Sequence, residues 1–75
     1  MTVGGRIRHE RNAQRRTLQQ VADGTGVSVA ALSMIERDQR PNPGLSTLVA
    51  LARMLDLEIV VTRRGVAVGA RRKQR

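Results

Sequence analysis

Residues Val21–Asp38 read VADGTGVSVAALSMIERD, two short apolar patterns divided by a glycine. Leu18, Val21 and Ala22 recur at i, i+3 and i+4, which places them on one face of a helix. Thr17 stands just ahead of that helix with Gln20 three residues on, the spacing of a capping box. Gly26 follows as a turn residue free to take positive φ. Ser28 caps a further helix whose Leu32 and Ile35 fall three apart on its inner side. Asp38 lies just beyond that helix, where left-handed backbone is usual. Thr17–Glu36 therefore reads as helix, glycine turn, helix. Helices this short do not stand alone in water. A pair held by the rest of the chain leaves the second one with an outer face to insert into something else.

On the amino-terminal side, Val3 and Ile7 stand at i and i+4 within Thr2–Arg16, and the spacing predicts a first helix strongest from Arg6 to Gln14. On the other side, QRPNPG (39–44) is a loop, because two prolines and a glycine exclude regular structure. GLSTLVALARMLD (44–56) predicts a fourth helix on the stripe Leu45, Leu48, Val49, Ala52 and Leu55, widened by Leu51. The period then changes. LEIVVTRR (57–64) alternates Leu57, Ile59 and Val61 against Glu58, Val60 and Thr62, which suits a strand. That strand has no evident partner in its own chain, so the reading expects one from a second copy, through Leu57, Ile59, Val60 and Val61. The remainder, ending AVGARRKQR, reads as a disordered basic tail. The chain divides into a helical domain at 1–56, a dimerisation strand at 57–64 and a tail at 65–75.

The 75 residues allow one small domain with no cysteine and no aromatic side chain. Its core must be aliphatic, and no disulfide can supplement it. A chain with so little to bury gains from dimerising. No apolar run reaches the roughly 18 residues of a membrane span, and no signal-peptide core opens the chain. The expected place is the cytoplasm, with the nucleoid, and no membrane partner.

Fourteen cations against six anions give a net charge of +8, and every cation but Lys73 is arginine. Such a field attracts polyanions. Arginine also forks onto phosphate and guanine edges better than lysine does. RNA is disfavoured, since no aromatic side chain is present on which bases could stack. Catalysis finds no support: His9 is the single histidine, the carboxylates stand apart, and neither a phosphate loop nor a metal-ligand spacing occurs. The reading is of a non-enzyme without cofactor or metal.

From Ile7 to Asp56 the chain resembles the lambda-repressor-like, Xre-type helix-turn-helix family. Ile7, Arg11, TLQQVADGTGVS, LSMIERD, NPGLSTL and LARMLDL carry the likeness. It implies a mainly α fold, a bundle of four or five short helices, and a further likeness at LDLEIVV, to the HipB-like branch, implies a carboxyl-terminal strand paired across a dimer. The helix opening at Ser28 would enter the major groove of duplex DNA, with Ser28, Val29, Ala30, Ser33 and Met34 at base edges. Phosphate contacts would come from Arg11, Thr17, Leu18, Gln19, Arg37, Gln39, Arg40, Asn42 and Ser46. The family pattern also implies an ion pair, Arg11 with Glu36, joining the first helix to the end of the third. Glu10 and Arg16 depart from it, standing where apolar residues are usual.

The continuation LDLEIVV resembles the HipB-like antitoxin branch. That implies a repressor of its own operon whose partner is a HipA-like kinase toxin. The alternatives are a repressor without a toxin, and an interaction protein whose main task is toxin neutralisation.

Overall fold

The computed structural model describes residues 2–39 and 43–70. Four helices, α1 (Val3–Ala13), α2 (Leu18–Thr25), α3 (Val29–Glu36) and α4 (Leu45–Leu55), precede two strands, β1 (Leu57–Thr62) and β2 (Gly65–Ala70).

The helix ends follow from local chemistry. Thr17 Oγ1 accepts from the Gln20 N–H at 3.0 Å, and Gln20 Oε1 accepts from the Thr17 N–H at 2.8 Å, so both halves of the capping box form. α2 ends at Gly26, φ 76°, whose N–H reaches the Ala22 carbonyl. Left-handed backbone there costs glycine nothing and turns the chain towards α3. Ser28 caps α3 by accepting from the Ala31 N–H at 3.1 Å. Asp38 and Asp56, at φ 57° and 55°, take the left-handed positions after α3 and α4.

The core is aliphatic and draws on every helix: Ile7, Val21, Leu32, Ile35, Leu48, Leu51, Ala52, Leu55 and Leu57. Leu51 is at its centre. Leu45, expected on the α4 stripe, is 62% exposed. It occupies the first helical position, where the stripe runs out past the end of the core.

At α1 the only fully enclosed side chain is Ile7. Gly4 compensates for that thin stripe. A Cβ at Gly4 would collide with the Ile35 carbonyl oxygen, so its absence lets α1 lie directly on the end of α3. Thr2 reinforces the contact, its hydroxyl donating to Asp38 Oδ2 at 2.7 Å. At the other end of α1, the polar departures from the family pattern have found polar work. Gln14 Nε2 donates to the Leu55 carbonyl at 2.7 Å and to Glu10 Oε1 at 3.1 Å, and Arg16 Nη1 lies 3.4 Å from Met54 Sδ. The Leu55 carbonyl is one of those that a helix end leaves without an intrahelical partner.

The carboxyl-terminal segment corrects one expectation. β1 is not solitary: it pairs antiparallel with β2, with Ile59 opposite Val68 and Val61 opposite Val66. The turn at Arg63 and Arg64 is closed by the Thr62 hydroxyl, which donates to the Gly65 carbonyl and accepts from the Arg64 N–H. Residues 65–70, read as tail, are therefore a strand. The basic run at 71–75 lies outside the described residues. β1 packs on α4 and β2 on α1. Leu57 is buried, while Ile59 and Val68 lie partly buried against the core.

Candidate nucleic-acid interface

α3 is divided sharply by its own periodicity. Leu32, Ile35 and Glu36 are buried. Ala30, Ser33, Met34 and Arg37, at i, i+3, i+4 and i+7, form the outward stripe, with Ala30, Met34 and Arg37 exposed and Ser33 half-buried. Val29 flanks that stripe, half-buried, and Ser28 is exposed at the cap. The five residues expected at base edges thus occupy the first turn and the outer face of one helix.

What fixes the direction of this helix is a charge pair. Arg11 on α1 donates from Nε to Glu36 Oε2 at 2.8 Å and from Nη2 to Oε1 at 3.0 Å. Its Nη1 donates to the Arg16 carbonyl at 2.8 Å. Both members are largely withdrawn from water, with side chains 12% and 4% exposed. The hydrogen bonds to Glu36 hold the Arg11 guanidinium above its ordinary value, against the partial burial that acts the other way. The pair is bidentate and shielded, a geometry in which orientation is tightly defined. One residue thereby ties α1, the α1–α2 corner and the end of α3.

Beside this pair lies a cleft of about 140 Å³ lined by Arg8, Arg11, Leu18, Ser33, Glu36 and Arg37. It brings together three residues expected at phosphates, Arg11 on α1, Leu18 on α2 and Arg37 just after α3. It adds Arg8, which the sequence reading passed over although it stands three residues before Arg11 on α1. Arg37 Nε donates at 3.3 Å to the Ser33 carbonyl, folding the side chain along its own helix towards the cleft. The sole carboxylate of the cleft, Glu36, has both oxygens bonded to Arg11, so the lining is cationic in balance.

The other expected phosphate contacts are dispersed around this centre. Thr17 and Gln19 are exposed at the start of α2, with Gln19 Nε2 bonded to Asp23 Oδ1 at 2.7 Å. Gln39 is exposed after α3, its N–H on the Met34 carbonyl. Ser46 is exposed in the first turn of α4, whose cap Gly44 supplies no side-chain bond. Arg40 and Asn42 lie outside the described residues. Of the residues expected in a dimer strand, Leu57 and Ile59 face this chain's own core, whereas Val60 and Val61 are exposed.

Residues 7–61 fit the family described as Helix-turn-helix. The chain belongs to the Xre-like helix-turn-helix family. A relative, the immunity repressor protein of Bacillus phage phi105, is 44% identical over 59 residues, which are 79% of this chain and 40% of the relative. The chain thus spans less than half the length of that relative. No solved structure matches significantly. Among the described residues no group of His, Cys, Asp and Glu could hold a metal ion, and no helix is long and apolar enough to cross a membrane.

Proposed function

We propose that this helix-turn-helix protein is a transcriptional repressor that binds specific sites in duplex DNA, placing α3 in the major groove. One observation carries the reading: the outward stripe Ala30, Ser33 and Met34 joins the arginine cleft of Arg8, Arg11 and Arg37 through Ser33, which lines it. A helix laid in the groove brings its flanks against the sugar-phosphate chains. The cleft then receives phosphate while the stripe faces bases. Repression, as distinct from DNA binding in general, is supported by the similarity to a phage immunity repressor. Such a protein works where the DNA is, in the cytoplasm with the nucleoid.

The repressor acts as a homodimer, so that two copies of α3 meet two half-sites about 34–36 Å apart. The exposed Val61 and Val66, paired on one face of the hairpin, supply the apolar area for it. A stand-alone repressor is favoured over an antitoxin. The antitoxin resemblance rests on LDLEIVV alone, whereas residues 7–61 fit the helix-turn-helix family and a phage immunity repressor is similar over 59 residues. A kinase reading frame beside this gene would reverse that preference.

The test is a mobility shift with the DNA upstream of the gene, in excess non-specific competitor, using wild type and Ser33→Glu. Ser33 is half-buried on the outer stripe, so glutamate there leaves the core intact, sets a carboxylate against the groove and engages the cleft arginines. The expected result is a specific shift that Ser33→Glu abolishes with its thermal melt unchanged. A shift that survives the substitution would remove α3 from the contact.

A further inference from the structure

We infer that the base-reading face of α3 recognises the C5-methyl group of pyrimidines, so that sequence preference rests on thymine and extends to 5-methylcytosine. The inference rests on the DNA-reading function proposed above and names the chemistry of that site.

The residues of α3 are VAALSMIE, and its only polar side chains are Ser33 and Glu36. Discrimination among base pairs in the major groove comes chiefly from bidentate amide or guanidinium contacts, or from a carboxylate accepting from cytosine. None of these is available. There is no Asn, Gln, Arg or Lys within the helix, and Glu36 is buried with both oxygens on Arg11. Arg37 follows the helix, but its Nε is folded back on the Ser33 carbonyl and the side chain lines the phosphate-sized cleft with Arg8 and Arg11.

Two hydroxyls are left. Ser28 Oγ already accepts from the Ala31 N–H, and a serine hydroxyl both donates and accepts, so it suits any base. The rest of the presented surface is apolar: the Ala30 methyl, the flank of Val29 and the Met34 thioether, 40% exposed. In the major groove the thymine C5-methyl is the one apolar group a base pair offers. Burying Met34 and Val29 is favourable only against such a group, since against a bare base edge they displace water from hydrogen-bonding atoms and return nothing. Methionine is flexible enough to fit over a methyl without a fixed rotamer.

The experiment starts from a randomised duplex library, from which the full chain enriches its preferred site. That site is then remade with each thymine replaced singly by deoxyuridine, which removes the methyl and keeps every hydrogen-bonding group. At the contacted positions it is also remade as 5-methylcytosine·guanine and as cytosine·guanine. Uracil should weaken binding about fourfold at each contacted position, the loss expected for one methyl-sized group. 5-Methylcytosine should bind more tightly than cytosine by a similar factor. Met34→Ala, a change at an exposed position, should erase the uracil penalty at one position of each half-site and leave the others.

Uracil probes that all bind like the parent would overturn the methyl reading while leaving DNA binding by this protein in place. A Met34→Ala protein with every uracil penalty intact would overturn the part of the inference that places a methyl group against the Met34 thioether. A library from which no sequence is enriched would overturn the DNA-reading function itself, and this inference with it.

Discussion

Arg11 and Glu36 meet through two parallel hydrogen bonds, Nε to Oε2 at 2.8 Å and Nη2 to Oε1 at 3.0 Å, twenty-five residues apart in the chain. Because the carboxylate is buried, removing one partner strands the other. Glu36→Ala should destabilise the fold by about 3–5 kcal/mol, most of the stability a domain of this size can hold. Replacing both at once, Arg11→Met with Glu36→Leu, should recover much of that loss, since no charge is then left unpaired. Urea denaturation of the three proteins checks the prediction. The double variant should nevertheless bind DNA poorly, because the pair that holds the end of α3 against α1 is gone and with it the Arg11 guanidinium.

A glycine inside a helix ordinarily gains stability on becoming alanine, by up to about 1 kcal/mol in the interior and less in the first turn, where Gly4 stands. At Gly4 the sign should reverse, because the methyl meets the backbone oxygen of Ile35, which cannot swing aside as a side chain would. Gly4→Ala should cost about 1–3 kcal/mol by overpacking. A raised melting temperature would mean that α1 is not seated on α3.

Much of this was legible in the sequence, because the decisive elements are local. Thr17 with Gln20, and Ser28 three residues before the Ala31 amide, declare helix starts by side-chain chemistry alone. Leu48, Leu51, Ala52 and Leu55 declare a buried face by period. The family pattern then supplied the long-range link, Arg11 to Glu36.

What the sequence did not disclose is long-range and small. The pairing of β1 with β2 depends on GVAVGA, a segment too poor in bulky residues to read as a strand by propensity. It becomes one because Ile59 and Val68 meet against the core. Gly4 owes its importance to a neighbour thirty-one positions away, and Thr2 to Asp38. Arg8 drew no notice among so many arginines; only the fold shows which of them share a cleft.

Affinity for DNA should fall steeply with salt. If a dimer neutralises about 6–10 phosphates, it loses about 10³–10⁵ in affinity between 50 and 200 mM salt. Arg8→Ala should weaken binding to all sequences alike and reduce the slope of log affinity against log salt by about one per protomer. Fluorescence anisotropy over that range measures both. An unchanged slope would take Arg8 out of the phosphate site.

The hairpin, not a solitary strand, should carry the dimer. Val61 is 73% exposed, so Val61→Lys leaves the core alone and should convert the dimer to a monomer in light scattering, changing monomer stability by less than about 0.5 kcal/mol. Truncation after Asp56 is a poorer probe, since it also removes Leu57 from the core. A wild-type monomer at tens of micromolar would contradict the hairpin dimer.

The placement of α3 in the groove is the central claim, and nuclear magnetic resonance tests it residue by residue. The ¹⁵N-labelled protein is titrated with its enriched duplex, and the amide shifts of every residue are followed. The largest changes are expected at Ser28–Met34 and Arg37, with further changes at Arg8, Arg11 and Thr17–Gln19, and little at Arg63 and Arg64 on the hairpin turn. Changes centred on the hairpin, with Ala30, Ser33 and Met34 undisturbed, would contradict it.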